Sequence, residues 1–252
     1  MPDRFGPRGV VAVAVPQQNS NMQPEYEAMR PCGVNNQMYR FDISDHDKVP
    51  EAVLATLPQV RGCWPDMVIC SNSVEMRWWS VERQAIYRKQ IRDVLNDLPF
   101  VTATDACVAA LKTVGAKRIG VISPMSEEMS KSVQDYYQAH GFEAPNATWL
   151  KVETSDRIID IPLDAVNAAF DEVDTDDIDT SLHAGGALGI VDMLDELEDR
   201  LGRPVVSSNA ATYWYALRMM GVDDEMDRGG RLTRMQLATE LRNPENFVNQ
   251  SG

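Results

Sequence analysis

A cysteine stands at the end of a short apolar segment, directly before a polar turn. The segment spans residues 66–70, and Cys70 is followed by Ser71, Asn72 and a second serine. Backbone N–H groups at the start of a helix stabilise an anion, so this position favours a thiol pKa below the free value of about 8.5. Such a thiol suits nucleophilic addition or proton transfer. The sequence therefore predicts that Cys70 is a catalytic residue.

Hydrogen-bond donors follow several other apolar segments of the chain. Side-chain amides and the unhindered backbone N–H groups of glycine suit carboxylates and developing enolates. The same residue types are common in ordinary turns, which is the alternative for any one of them taken singly. The residues predicted to bind a carboxylate are Asn19, Ser71, Asn72, Gly185, Gly186 and Asn209.

Short apolar runs alternate with longer amphipathic stretches from one end of the chain to the other. The periodic stretch 81–95 predicts a helix, and a second helix is expected to end before Gly115, with Thr104 or Asp105 as its N-cap. Runs that predict buried strands include residues 9–15, 66–70, 99–102, 117–123 and 178–184. This alternation predicts an α/β fold with mainly parallel sheets.

The second half of the chain repeats features of the first half in the same order. The matching landmarks are Pro16 and Gly115 in the first half, and Pro124 and Gly221 in the second. We therefore expect two pseudo-symmetric Rossmann-like lobes, residues 1–115 and 116–221, with residues 222–252 packing back on the first lobe. Ligands bind beyond the carboxyl ends of the strands in open parallel sheets, so the active-site cleft is expected between the lobes.

Composition excludes several classes of partner. The chain has 38 acidic and 24 basic side chains, a formal charge of −14, which disfavours nucleic acid and anionic membrane surfaces. No apolar run approaches the ~20 residues of a membrane span, and the N-terminus is too polar for a signal peptide, so a cytoplasmic protein is expected. Four scattered cysteines and three histidines predict neither a disulfide scaffold nor a metal site.

Three motifs carry a resemblance to a known family. Residues 15–19, Val-Pro-Gln-Gln-Asn, are similar to the Val-Pro-Ser-Ser-Asn of the aspartate/glutamate racemase superfamily, in the branch that holds maleate cis–trans isomerases and arylmalonate decarboxylases. Residues 184–186, Ala-Gly-Gly, resemble the decarboxylase Cys-Gly-Gly, and residues 201–209 resemble the branch's helix, strand and Ser-Ser-Asn turn. The resemblance covers most of the chain. It implies chemistry on a small carboxylate or dicarboxylate without metal or organic cofactor, and a homo-oligomer is also in keeping with it.

The resemblance also implies roles for two positions. In the isomerases the first-lobe cysteine, here Cys70, adds to a double bond before rotation and elimination. In the decarboxylases a second-lobe cysteine protonates the enediolate, and that position is Ala184 in this chain. We expect an isomerase similar to maleate isomerase; the alternatives are a one-cysteine decarboxylase or lyase and a catalytically silent carboxylate-binding homologue.

The missing second thiol leaves three explanations open. Ala184 could be an introduced replacement of a cysteine, the chain could be a natural one-cysteine enzyme, or His183 could act as the acid/base. Strand alternation argues against His183, because adjacent side chains point to opposite faces. Residues 74–79 also allow two interpretations: a lid whose Arg77 pairs with a substrate carboxylate, or a loop that packs its tryptophans on the other lobe or on a second subunit.

Overall fold

The computed structural model describes residues 4–71, 74–152 and 155–248 of the chain. Eight strands form two four-stranded sheets in which every described strand pair is parallel. The strands of the first sheet are β1 (Gly9–Pro16), β2 (Val34–Phe41), β3 (Met67–Cys70) and β4 (Phe100–Thr102). Those of the second are β5 (Arg118–Ser123), β6 (Glu143–Trp149), β7 (Thr180–His183) and β8 (Val205–Ser207). The predicted α/β fold of two parallel lobes is confirmed.

Helices connect the strands and cover both sheets. In the first half they are α1 (Met22–Met29), α2 (Val49–Val60), α3 (Val74–Arg77), α4 (Val81–Leu95) and α5 (Ala103–Thr113). In the second half they are α6 (Glu127–Ala139), α7 (Leu163–Val173), α8 (Leu194–Leu201), α9 (Ser208–Met219) and α10 (Glu245–Val248). The helix over residues 81–95 is confirmed, whereas the predicted N-cap of α5 is wrong. Its cap is Thr102, whose hydroxyl accepts from the Asp105 N–H at 3.2 Å, so the helix begins two or three residues earlier.

The two sheets have the same strand order, β2-β1-β3-β4 and β6-β5-β7-β8. Their registers also correspond. Ala14 of β1 lies beside Cys70 of β3, and Ile122 of β5 lies beside His183 of β7. On the other side of the central strand, Cys70 pairs with Thr102 as His183 pairs with Ser207. The internal duplication therefore extends to individual residue positions at the carboxyl ends of the strands.

The two lobes share their central helices. Helices α5 and α9 pack against each other along the middle of the molecule. Each also reaches the sheet of the other half, since α9 contacts β3 and β4 while α5 contacts β8. Because these helices begin directly after β4 and β8, the carboxyl ends of both sheets are drawn toward one common region. That region is where the cleft was expected, and residues of both halves border it.

The segment after α9 is fastened by a buried arginine. Arg218 is fully buried and donates to the backbone carbonyls of Val222, Asp224, Thr233 and Met235. The segment also pairs with both halves of the chain. Arg8 binds Asp224, and Arg234 binds Asp195 at 2.7 Å. The lobe boundaries stay a prediction.

No helix in the described ranges has the length and apolar composition needed to cross a membrane.

Candidate active site

Two asparagines from different halves meet at one glycine carbonyl in the cleft. The Nδ2 groups of Asn19 and Asn209 both donate to the Gly186 carbonyl oxygen, each at 2.9 Å. Asn19 Oδ1 in turn accepts from the backbone N–H of Met22, the first residue of α1, at 2.9 Å. The predicted convergence of these three residues on the cleft agrees with this arrangement. The orientation of the glycine turn after β7 is fixed from both sides.

The turn leaves little room for a Cβ at either glycine, and least at Gly185, which faces a rigid proline ring. A Cβ on Gly185 would lie 2.3 Å from Cγ of Pro124, and one on Gly186 would lie 2.8 Å from Oδ1 of Asn209. Both distances are far below a normal carbon contact. Neither the Gly185 nor the Gly186 N–H donates to another backbone group within the described ranges. These two N–H groups are donors that a carboxylate can use.

Glu25 joins the same network, and sequence reasoning missed it. Its carboxylate accepts from the Asn209 amide and from the Val191 N–H, the latter at 2.7 Å. Burial raises the pKa of Glu25 to about 7, against the lowering effect of these hydrogen bonds. Glu25 lies within an ordinary polar helix of the sequence, so no local pattern pointed to it.

The Glu25 contact occupies part of the Asn209 amide. Its Nδ2 group donates to both Glu25 and Gly186, so both amide hydrogens are in use. As placed, Asn209 has no N–H left for a carboxylate, and its predicted role in binding one stays a prediction. Its contacts position the glycine turn.

The first-lobe turn is only partly described. Ser71 donates from its hydroxyl to the Ala14 carbonyl at 2.6 Å, so this group is occupied within the first sheet. Asn72, which was predicted to bind a carboxylate, lies outside the described residues. The first half therefore contributes its turn backbone and the amide of Asn19 to what is described of the cleft.

Cys70 is fully buried, and the prediction of a lowered thiol pKa is wrong. Its side chain belongs to the apolar cluster between the first sheet and helices α2 and α4, together with Ala14, Val68 and Met76. Burial raises the pKa of Cys70 to about 12, and the negative charge of Asp105 adds to the effect. At neutral pH this side chain is a thiol rather than a thiolate. Its catalytic role stays a prediction.

Cys70 and Ala184 were expected to occupy matching positions in the two lobes, but the strand register does not match them. The N–H of Ser71 donates to Ala14 at 3.2 Å, and the N–H of Ala184 donates to Ile122 at 2.8 Å. Ser71 is therefore the pseudo-symmetric counterpart of Ala184, and Cys70 is the counterpart of His183. Because side chains alternate along a strand, Cys70 and Ala184 point to different faces of their sheets.

His183 is neutral at neutral pH. It is 1% exposed, and burial lowers its pKa to about 4, with the charge of Arg77 acting in the same direction. Its Nε2 has no hydrogen-bond partner among the described residues. A neutral imidazole can accept or donate one proton in a cleft, so the predicted acid/base role of His183 stays open.

The tryptophans after Cys70 are separated from each other. Trp79 packs edge-on against Tyr87 at 5.1 Å between ring centroids, within the first half, and Arg83 stacks over it. Trp78 is 49% exposed. Packing of both rings on the other lobe is therefore not observed.

Within the described ranges, no group of three or more His, Cys, Asp or Glu side chains is arranged to hold a metal ion.

Comparison with known proteins identifies the family. The sequence model of the arylmalonate decarboxylase family matches residues 79–233. The match includes the second sheet, helices α4 to α9 and the glycine turn. The chain belongs to the arylmalonate decarboxylase family.

Individual relatives include maleate isomerases. The maleate isomerase of Alcaligenes faecalis is 22% identical over 150 residues, which are 59% of this chain and 59% of that protein. The chain thus matches about three fifths of the length of this curated relative.

Solved structures show the same fold. A cysteine-to-alanine variant of the maleate isomerase from Pseudomonas putida S16 with maleate superposes with a TM-score of 0.82 at 19% identity, covering 89% of this chain and 97% of that one. The Nocardia farcinica maleate cis–trans isomerase, in a cysteine-to-serine variant with a covalently bound succinylcysteine intermediate, gives 0.81 at 18% identity, covering 89% and 98%.

Proposed function

We propose that this chain is a cofactor-independent enzyme of the isomerase or lyase type that acts on a small carboxylate in the cleft. The observation that supports it best is the glycine turn. Gly185 and Gly186 present two backbone N–H groups at the carboxyl end of β7, and Asn19 and Asn209 fix the turn from opposite halves of the molecule. Preorganised N–H donors of this kind stabilise a carboxylate and the enediolate formed from it.

The first candidate reaction is cis–trans isomerisation similar to that of maleate isomerase. The Nocardia relative, with its succinylcysteine intermediate, supports addition of a thiol to a double bond. In this chain the predicted thiol is Cys70. Addition requires the thiolate, whereas burial raises the pKa of Cys70 to about 12. A base must therefore accept the thiol proton when the substrate binds.

The second candidate is decarboxylation, and the protonated state of Cys70 favours it. Loss of carbon dioxide from a substituted malonate leaves an enediolate, whose carbon takes up one proton. Cys70 keeps its proton at neutral pH, but without a ligand its side chain packs among apolar residues, so the substrate must reach that face for Cys70 to donate. The family match supports the same chemistry. Ala184 cannot supply this proton, because its side chain is a methyl group.

Product analysis with two substrates tests the proposal. The protein is incubated with maleate and with phenylmalonate, and products are followed by proton NMR while intact mass reports any adduct. Fumarate formation supports the isomerase, and phenylacetate formation supports the decarboxylase. The Cys70→Ser variant should lose either activity, whereas Cys32→Ser, at an exposed cysteine, should keep it.

Two results would count against the proposal, one against the enzymatic activity and one against the role of Cys70. If neither substrate is converted although both bind, the enzyme proposal is refuted and a carboxylate-binding homologue is supported. Full activity in Cys70→Ser would refute the role of Cys70 alone. A cytoplasmic location and a homo-oligomer stay predictions from the sequence.

A further inference from the structure

Arg77 is a buried cation with no partner in the described structure. It ends α3, and its side chain is 6% exposed. None of its three guanidinium nitrogens, Nε, Nη1 and Nη2, has a hydrogen-bond partner among the described residues. Burying an isolated charge is unfavourable unless it is paired and hydrogen-bonded. The position therefore calls for an anion.

The groups around Arg77 place it at the junction of the two halves. Burial raises the pKa of Cys107 on α5 and of Tyr136 and Tyr137 on α6, and the nearby charge of Arg77 opposes each rise. At the end of β7, burial lowers the pKa of His183, and the charge of Arg77 adds to that effect. Helix α3 also packs directly on α6. Arg77 thus comes from the first half and lies close to side chains of both halves, among them His183 at the carboxyl end of β7, next to the glycine turn.

The nearby acidic side chain is already paired. Asp105 acts on several of the same groups, but its two carboxylate oxygens bind Arg88, one of them through Nε at 3.0 Å. Both members of that pair are buried, with side chains 10% and 2% exposed. Asp105 is therefore committed to Arg88, and the charge of Arg77 remains available for a ligand.

We propose that Arg77 binds one carboxylate of a dicarboxylate substrate while the Gly185 and Gly186 N–H groups bind the other. This inference rests on the proposed function and narrows its substrate class to dianions. A guanidinium offers a paired, charge-assisted hydrogen bond to a carboxylate. The overall charge of −14 would repel a dianion, so a local cation is needed to hold it. Arg77 also supplies donors in place of those that Asn209 uses within the protein.

A matched pair of ligands tests this without measuring turnover. Maleate and isocrotonate share a cis four-carbon skeleton, and isocrotonate has a methyl group where maleate has its second carboxylate. Affinities are measured by titration calorimetry on the full chain. We expect the unmodified protein to bind maleate at least ~10-fold more tightly than isocrotonate. Arg77→Met should weaken maleate binding by about 10- to 100-fold and leave isocrotonate binding within about threefold.

Thermal unfolding separates a binding role from a structural one. Arg77→Met replaces an unpaired buried charge with an apolar chain of similar length, so the ligand-free variant should melt at a higher temperature than the unmodified protein. Maleate should then raise its melting temperature less. Arg83→Gln, which removes a charge from an exposed position nearby, should change neither result.

Several outcomes would overturn the inference. They are unchanged maleate affinity in Arg77→Met, a lower melting temperature of that variant with unchanged affinity, or no maleate binding by the unmodified protein. If Arg77→Met does not fold, Arg77→Lys must still weaken maleate relative to isocrotonate. Binding that depends on Arg77 without any turnover would support this inference while refuting the proposed enzymatic function.

Discussion

The carboxylate of Glu25, in the first half of the chain, accepts a hydrogen bond from the side-chain amide of Asn209, in the second half. The bond ties α1 to α9 directly beside the glycine turn. The same amide holds the Gly186 carbonyl, so the titration of Glu25 is linked to the geometry of the cleft.

Glu25 should make stability fall as pH rises from about 4.5 to about 7. Its pKa is raised from 4.5 to about 7 in the folded protein, so in this window the folded state binds more proton than the unfolded state. One such group changes the free energy of unfolding by at most about 1.4 kcal/mol per pH unit. Urea unfolding at pH 5 and pH 8 should therefore show a smaller pH dependence for Glu25→Gln. Glu27→Gln, at an exposed position, is the control, and an equal pH dependence in all three proteins would contradict the prediction.

Adding one methyl group at Gly185 should destabilise the protein. The new Cβ would lie 2.3 Å from Pro124, whose ring cannot rotate away, so Gly185→Ala should lower the free energy of unfolding by about 1–3 kcal/mol. A Cβ at Gly62 would meet no atom within 4 Å, and Gly62→Ala should be close to neutral. Chemical denaturation of both variants checks this; equal effects would show that the Pro124 contact is not the cause.

Breaking the buried Arg88–Asp105 pair should be strongly destabilising. Asp105→Asn leaves Arg88 buried without a negative partner, and the expected loss is about 3–5 kcal/mol. The exposed pair Lys89–Asp93 offers a contrast, and Asp93→Asn should cost less than about 1 kcal/mol. Urea unfolding measures both. A loss below 1 kcal/mol for Asp105→Asn would show that the buried pair contributes little.

The cysteines should differ sharply in reactivity toward iodoacetamide. Cys32 is exposed, whereas Cys70 and Cys107 are buried with raised pKa values, and alkylation requires an accessible thiolate. At pH 7.5, peptide mass analysis should find Cys32 labelled first and Cys70 labelled only after unfolding in urea. Rapid labelling of Cys70 in the folded protein would instead indicate an open, acidic thiol suited to nucleophilic addition.

The central strands were predictable because they are continuous apolar runs. β1 and β5 are buried along nearly their whole length, and their sequences show it. Strands β2 and β6, each at one edge of its sheet, were not predicted. Their residues, such as Asn35, Asn36 and Gln37 in β2, are polar and only partly buried, so they show no continuous apolar run.

The sequence indicated where the candidate site lies, but it did not indicate the chemical state of its residues. Asn19, Gly186 and Asn209 meet beyond the carboxyl ends of the strands, because topology fixes where those ends lie. The state of Cys70 was not predictable from its position next to a turn. Its pKa depends on which face of the sheet its side chain occupies, and helices α2 and α4 cover that face. The packing of α9 against α1, which brings Glu25 to Asn209, likewise has no local signal in the sequence.

A crystal structure of the protein with maleate would test most directly whether the cleft takes a small dicarboxylate. We predict one carboxylate within about 3 Å of the Gly185 and Gly186 N–H groups and the other paired with the guanidinium of Arg77. Maleate bound outside the cleft, or a cleft that stays without maleate at saturating concentration, would contradict the proposed function.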